Sequence, residues 1–279
     1  RRPILLQYNF RNGYVAGIYL GEMTVRIALA DLQGRILRQV DFPTKQALQR
    51  KGLINTVVHE IQECLTAENL STEDLRSLGV AVSGITDIET GTVIHSKYIE
   101  NWRDFPLAEV LHTKLGVPVR IDNEMFMAAL GELWLGEGKD ITNMVSISIG
   151  VGIGVAIVID KKVYRGSRYS AGELGDVIIT NGDLKSIQRS GYLERRAGWQ
   201  AIEQLGRDIA AEHRDSIIAR LAGSNPDKVT PQIVFEAARL HDRHAKSIID
   251  KVSLVLGTAI ANLISLLDPD IVLLTGEVT

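Results

Sequence analysis

The sequence predicts an α/β fold of two lobes, and three observations carry that reading. Strand-like and helix-like hydrophobic periods follow one another in the order β-β-β-α-β-α-β over the first part of the chain. A second group of strands, turning through the glycine-rich run 150–154, leads into a mainly helical remainder. With 279 residues, 45% hydrophobic and 23% charged, the chain can bury a sizeable core. The break is expected near Asp122, which gives lobes over 1–122 and 123–279.

Each element has its own signal. Strands are expected over 15–20, 24–31 and 36–42, the first two joined by a tight turn at Gly21-Glu22. Val25, Ile27 and Leu29 alternate with Arg26, Ala28 and Ala30, the period of a half-buried strand. Leu53, Ile54, Val57, Val58, Ile61, Cys64 and Leu65 then recur at helical spacing. Ser71-Thr72-Glu73-Asp74 reads as a capped turn, and 78–83 as a short apolar strand. The α/β rhythm continues with a strand at 92–95, a helix at 107–115, a strand at 119–121 and a helix at 124–135. Strands follow at 144–149 and 154–159. The rest is helical: 199–221, a helix opened by Thr230-Pro231, and a long one over 242–267 before a last strand at 271–274. The stripe Leu254, Ile260, Leu263, Ile264 and Leu267 on the long helix is expected in the core or in a subunit contact.

The bulk numbers exclude some functions. The net charge is −3 and no run of five or more Lys/Arg occurs, so these residues lack the basic stripe with which proteins neutralise DNA phosphates. The one cysteine, Cys64, forbids an intramolecular disulfide or a multi-cysteine zinc site and suits a reducing cytoplasm. No uninterrupted apolar run approaches the ~20 residues that span a bilayer, and the opening from Arg1-Arg2-Pro3 does not read as a charged-then-apolar leader, so no signal peptide is expected. Both ends read as cut: the chain starts in a polar, proline-containing stretch and stops just after an apolar strand, where a covering helix normally follows.

Three segments, in order, resemble the ROK family (repressors, open reading frames, kinases). They are 149–154 with Tyr164-Arg165-Gly166 and Ala171-Gly172-Glu173-Leu174-Gly175; 118–132 with Asn123-Glu124 and Ala128-Ala129-Leu130-Gly131-Glu132; and 261–274 with Asp268-Pro269-Asp270. The resemblance implies an actin-like, ribonuclease H-like ATPase (hexokinase-like) fold, with two lobes around a sugar cleft. Its members are sugar kinases or sugar-responsive repressors whose helix-turn-helix domain precedes the sugar-binding part.

Carried over residue by residue, the resemblance favours the repressor branch. The first phosphate turn of the kinases, Asp-x-Gly-Gly-Thr, is matched by Tyr19-Leu20-Gly21-Glu22-Met23, and a carboxylate at Glu22 repels phosphates. Taken alone, this turn reads as an ordinary hairpin. The second phosphate turn, Gly-Thr-Gly, is matched by Gly150-Val151-Gly152, without the hydroxyl. The catalytic Asp of the kinases is matched by Glu124, one methylene longer, where reach matters to within about an ångström.

The resemblance also implies the sugar-binding residues: Asn123, Glu124, Glu173, Asp176 and Glu194. Carboxylates suit that task because each accepts hydroxyl hydrogen bonds in a planar array. Each has a plainer reading as well. Glu124 is a favourable charge in a first helical turn, Glu173 a turn residue, and Glu194 a surface ion pair with Arg195 or Arg196. Asp176 stands where the family has histidine, and Tyr98 where it has an asparagine; Trp102 reads as packing. The cysteines of the family's zinc loop are all replaced over 185–194, so zinc is not expected, and Tyr192 is the residue placed to fill its space. His241 and His244 are spaced to share a metal on a helix, but no third ligand is evident.

The expectation is therefore a sugar-sensing effector module of a transcriptional repressor, not an enzyme, with no cofactor. Its partners would be a sugar or sugar derivative, operator DNA through a helix-turn-helix domain outside this chain, and a second copy in a homodimer or tetramer. The alternatives are an ATP-dependent sugar kinase and a protein-docking module.

Overall fold

The computed structural model describes residues 9–10, 12–44, 50–96, 99, 102–179 and 191–276. The chain divides into two compact units, Arg1–Ala128 and Ala129–Thr279. The division falls a little beyond the break expected near Asp122, inside a helix.

In the first unit, β1 (Tyr14–Leu20), β2 (Thr24–Asp31) and β3 (Ile36–Pro43) form an antiparallel meander. Two further strands, β4 (Leu75–Val82) and, later in the chain, β8 (Val119–Asn123), extend it in parallel, giving the order β3-β2-β1-β4-β8. The alternation read from the sequence sets the faces: Val25, Ile27 and Leu29 are buried and Arg26 is exposed. Helix α1 (Arg50–Ala67) lays Leu53, Ile54, Val57, Ile61 and Leu65 into the core, each contributing about 1.5–3 kcal/mol of burial. Short strands β5 (Ile85–Asp87), β6 (Thr92–His95) and β7 (Arg103–Phe105) make a separate small sheet, of which β5 and β7 lack a periodic signal. Helix α2 (Leu107–Leu115) ends at Gly116 in the left-handed conformation that favours glycine, as helix ends commonly do. Ser71 closes its turn as expected: its N–H and hydroxyl both donate to Asp74.

Helix α3 (Glu124–Leu135) leads into the second unit. There β9 (Met144–Ile149), β10 (Ile153–Ile159), β11 (Lys162–Tyr164) and the late strand β12 (Ile271–Thr275) form a sheet of order β11-β10-β9-β12, with only β12 parallel to its neighbour. One expectation is corrected in the helical part. The single helix expected over 199–221 is in fact two, α5 (Trp199–Glu212) and α6 (Ile217–Leu221), interrupted at 213–216, with a short α4 (Glu194–Ala197) just before them. The break has a local cause: the Ser216 hydroxyl accepts the Ala219 N–H at 3.1 Å, starting a new helix.

Helices α7 (Pro231–Arg239) and α8 (Arg243–Leu267) start where expected, on Thr230 and Asp242 caps. The stripe assigned to α8 divides, however. Val252, Leu256 and Ala259 are buried, and Ile260, Leu263 and Leu267 pack against that core, whereas Leu254 is 73% exposed and Ile264 45%. By length and composition α8 could cross a membrane, but its buried side packs against α4, α5 and α7.

Asp242 ties the starts of α6 and α8 together. Its carboxylate accepts the N–H groups of Ile217 at 2.6 Å, His244 at 2.8 Å and Ala245 at 2.9 Å. Burial alone would raise its pKa, but these backbone donors outweigh burial and hold it below the ordinary 3.8. A depressed carboxylate stabilises the fold above its unfolded pKa and stops doing so as pH falls through the lower, folded one. Asp242→Ala is therefore expected to cost about 1–2 kcal/mol at pH 7. Urea titrations should show the difference between wild type and variant shrinking below about pH 4, where the unfolded chain takes up the proton first.

Candidate carbohydrate site

The parallel pairing of the first unit decides which residues meet. Leu20 is in register with Val82, and Val82 with Asn123, so the carboxyl ends of β1, β4 and β8 lie side by side. That edge is where ligands bind in open α/β sheets, because the backbone leaves the ladder there and side chains are released for chemistry. Tyr19, Ser83 and the pair Asn123-Glu124 all stand on it.

Glu124 opens α3 and is half-buried. The hydroxyls of Ser83 and Tyr19 lie close enough to its carboxylate to stabilise the charge. Burial pushes its pKa above the usual glutamate range, and the two hydroxyls pull it part of the way back. Asn123 is engaged on both sides of its amide. Its oxygen accepts the Met125 N–H at 2.8 Å, starting the helix, and its nitrogen donates to the Gly84 carbonyl at 2.8 Å. Gly84 must be small, since a Cβ there would run into the backbone of His95 and Ser96. The Ser96 hydroxyl, buried, donates to the Ser83 carbonyl at 2.8 Å and fixes the strand end that carries the Ser83 hydroxyl.

The turn between β1 and β2 is closed from within. The Gly21 N–H is held by the Thr24 carbonyl at 3.1 Å, and its carbonyl accepts the Thr44 hydroxyl at 2.8 Å. The ring and hydroxyl of Tyr19 lie over Gly21, where a Cβ would collide with them. One tyrosine thus covers the turn and reaches Glu124.

In the second unit, the Glu173-Leu174-Gly175-Asp176 turn meets α4. Glu194 accepts the Ile153 N–H at 3.2 Å, directly after the glycine-rich turn, and a Cβ on Gly175 would stand 3.1 Å from the same carboxylate oxygen. Asp176 accepts the Gly191 N–H, and Glu173 is exposed. Tyr192 is buried, with the Arg195 guanidinium 5.0 Å from its ring centroid. The structure therefore brings Asp176 and Glu194 together at the turn that carries Glu173, each accepting a different backbone N–H, and places Asn123 and Glu124 at the end of β8.

Sequence reasoning missed Ser83 and the contact from Tyr19 to Glu124. Ser83 carried a faint signal, a hydroxyl followed by glycine at the end of a predicted strand. Tyr98 and 185–190 lie outside the described residues. Trp102 is buried and tilted against Phe105, with centroids 5.2 Å apart, as packing requires. The two histidines do not form a metal seat: His244 stacks on His213 at 4.1 Å, and His241 faces the Lys246 ammonium at 3.3 Å. Among the described residues no group of three or more His, Cys, Asp or Glu could hold a metal.

The sequence model of the ROK family matches residues 15–279. The chain belongs to the ROK family. Its relatives include both branches of that family. It is 29% identical over 278 residues to a xylose repressor of Caldicellulosiruptor bescii, covering 99% of this chain and 69% of that protein. It is 30% identical over 268 residues to a glucokinase of Halalkalibacterium halodurans, covering 95% of this chain and 81% of that one. Among solved structures, a ROK family transcriptional regulator, a homologue of the E. coli MLC protein, superposes with a TM-score of 0.83 at 26% identity, over 96% of this chain and 66% of that one. A ROK family glucokinase from Streptomyces griseus, in complex with glucose and AMPPNP, gives 0.81 at 25% identity, over 95% and 83%. The α/β fold of this ROK protein is thus the actin-like one shared by the family's kinases and repressors.

Proposed function

We propose that this chain is the sugar-sensing part of a ROK-family transcriptional regulator and does not transfer phosphate. The observation that carries this reading is the turn at Gly21, which is capped by the Tyr19 ring and followed by Glu22 and Met23. A turn that cradles a triphosphate must let phosphate oxygens approach backbone glycine, and a carboxylate beside it repels them. The retained carboxylate at Glu124, with the Glu173–Asp176 turn and Glu194 in the second unit, suits hydroxyl recognition.

The sugar would act as an effector, shifting the regulator between two DNA-binding states only as far as it binds one more tightly than the other. Operator contacts would come from a helix-turn-helix domain outside this chain, and the assembly would be a homodimer or tetramer. The glucokinase relatives support a second reading, a sugar kinase with Glu124 as base. Two measurements on the same preparation separate them: calorimetry against hexoses, amino sugars and pentoses, and a coupled ADP-release assay with magnesium ATP. The expected result is saturable binding of at least one sugar without ADP release. Sugar-dependent ADP release that Glu124→Gln abolishes would establish the kinase instead.

A further inference from the structure

Tyr19 does two things at once: its ring covers Gly21, and its hydroxyl, with that of Ser83, lies close enough to the Glu124 carboxylate to stabilise its charge. From this juxtaposition we infer that Tyr19 is a specificity-determining residue that makes the site select free sugars over their phosphate esters. The inference rests on the reading of Glu124 as an acceptor of a ligand hydroxyl.

The chemistry is elementary. A carboxylate flanked by two hydroxyls has acceptor capacity left for a third donor, and a sugar hydroxyl supplies one. Esterifying that hydroxyl with phosphate removes the proton Glu124 needs and brings an anion against a half-buried carboxylate. The ester group also needs room and positive partners. Toward the β1–β2 turn it would meet the Tyr19 ring, with the Gly21 N–H already held by Thr24. Tyr19 thus closes the one glycine of that turn against which a phosphate could lie, and it favours Glu124 as a charged acceptor. Tyr19 and Ser83 are positioning residues in this scheme; Glu124 is the group that touches the ligand.

Calorimetry on the whole chain tests this with free sugars and their esters as probes: glucose with glucose 1- and 6-phosphate, N-acetylglucosamine with its 6-phosphate, and xylose with its 5-phosphate. For whichever sugar binds, at least one ester should bind tenfold or more weakly. Tyr19→Phe keeps the ring and loses the hydroxyl, so free-sugar affinity should drop about fivefold while the discrimination stays. Tyr19→Gly loses both, so the ratio between free sugar and ester should narrow. A purely structural tyrosine would lower both affinities together and leave the ratio unchanged in either variant. Melting curves identify any variant that fails to fold; Tyr19→Leu, which also removes the ring and hydroxyl but keeps an apolar strand residue, repeats the ratio test should the glycine variant not fold. Esters that bind as tightly as the free sugar would overturn the inference while leaving the sensor reading intact. Absence of binding by every sugar and ester would overturn both.

Discussion

Glu124→Gln is expected to lower sugar affinity about 10- to 100-fold while raising thermal stability at neutral pH. The affinity loss follows from exchanging a charged acceptor for a neutral amide, because hydrogen bonds to charged groups contribute about 1.5–3 kcal/mol. The stability gain follows from the direction of the pKa. Burial raises the Glu124 carboxyl above its ordinary value despite the Ser83 and Tyr19 hydroxyls. An acid whose folded pKa is raised supports the fold fully below its unfolded pKa and loses that support as pH rises through the folded one. Wild type should therefore gain on the glutamine variant as the solution is acidified toward pH 4, and fall behind above the raised folded pKa. Melting curves of both proteins across that window check the sign; calorimetry with the best-binding sugar checks the affinity. A residue that weakens the fold while strengthening a ligand contact is what a functional position predicts.

The second large effect belongs to Gly172, just before the Glu173 turn. Its φ of +87° is one that L side chains rarely adopt, and a Cβ there would be driven into the Val155 carbonyl in the middle of β10. The Gly172 carbonyl meanwhile accepts the Val155 N–H at 3.1 Å, so the segment cannot back away without breaking that bond. Gly172→Ala should cost about 3 kcal/mol or more, combining a backbone strain of about 1–2 kcal/mol with displacement from the strand. Urea unfolding followed by tryptophan emission would register it, and Trp199 in the second unit offers a local reporter. An alanine variant with the wild-type midpoint would show that the turn has another conformation open to it.

The contrast between these positions shows what a sequence can disclose. Helices and strands were legible because burial imposes a period on each: 2 along β2, 3.6 along α1. The helix break at 213–216 was not, because His213-Arg214-Asp215-Ser216 interrupts the pattern only weakly, and the carboxylate that receives the Ile217 N–H comes from Asp242 far along the chain. The stripe of α8 was legible as a stripe but not in how it divides, since periodicity gives the faces of a helix but not how much of each a neighbour covers. At the candidate site, Glu124 stood out only through the resemblance, as the match to the Asp of the family's Asn-Asp pair. Its two hydroxyl neighbours were not legible. Tyr19, Ser83 and Glu124 meet only because β1, β4 and β8 pair in parallel register, and register depends on the assembled sheet. Tyr19 read in isolation was merely a residue that had replaced an acid.

Glu194 has a consequence of a different kind. Through its carboxylate it grips the Ile153 amide, and the Trp199 amide, just beyond the same short helix, grips the Gly150 carbonyl at 3.0 Å. The loop between these two anchor points is clamped at either end by a single stretch of chain, so its shape is set during folding and before any ligand arrives. Little conformational freedom is left there to surrender on binding, and in the proposed sensor an acid fastened in this way would offer a sugar only its remaining lone pairs, in a fixed direction.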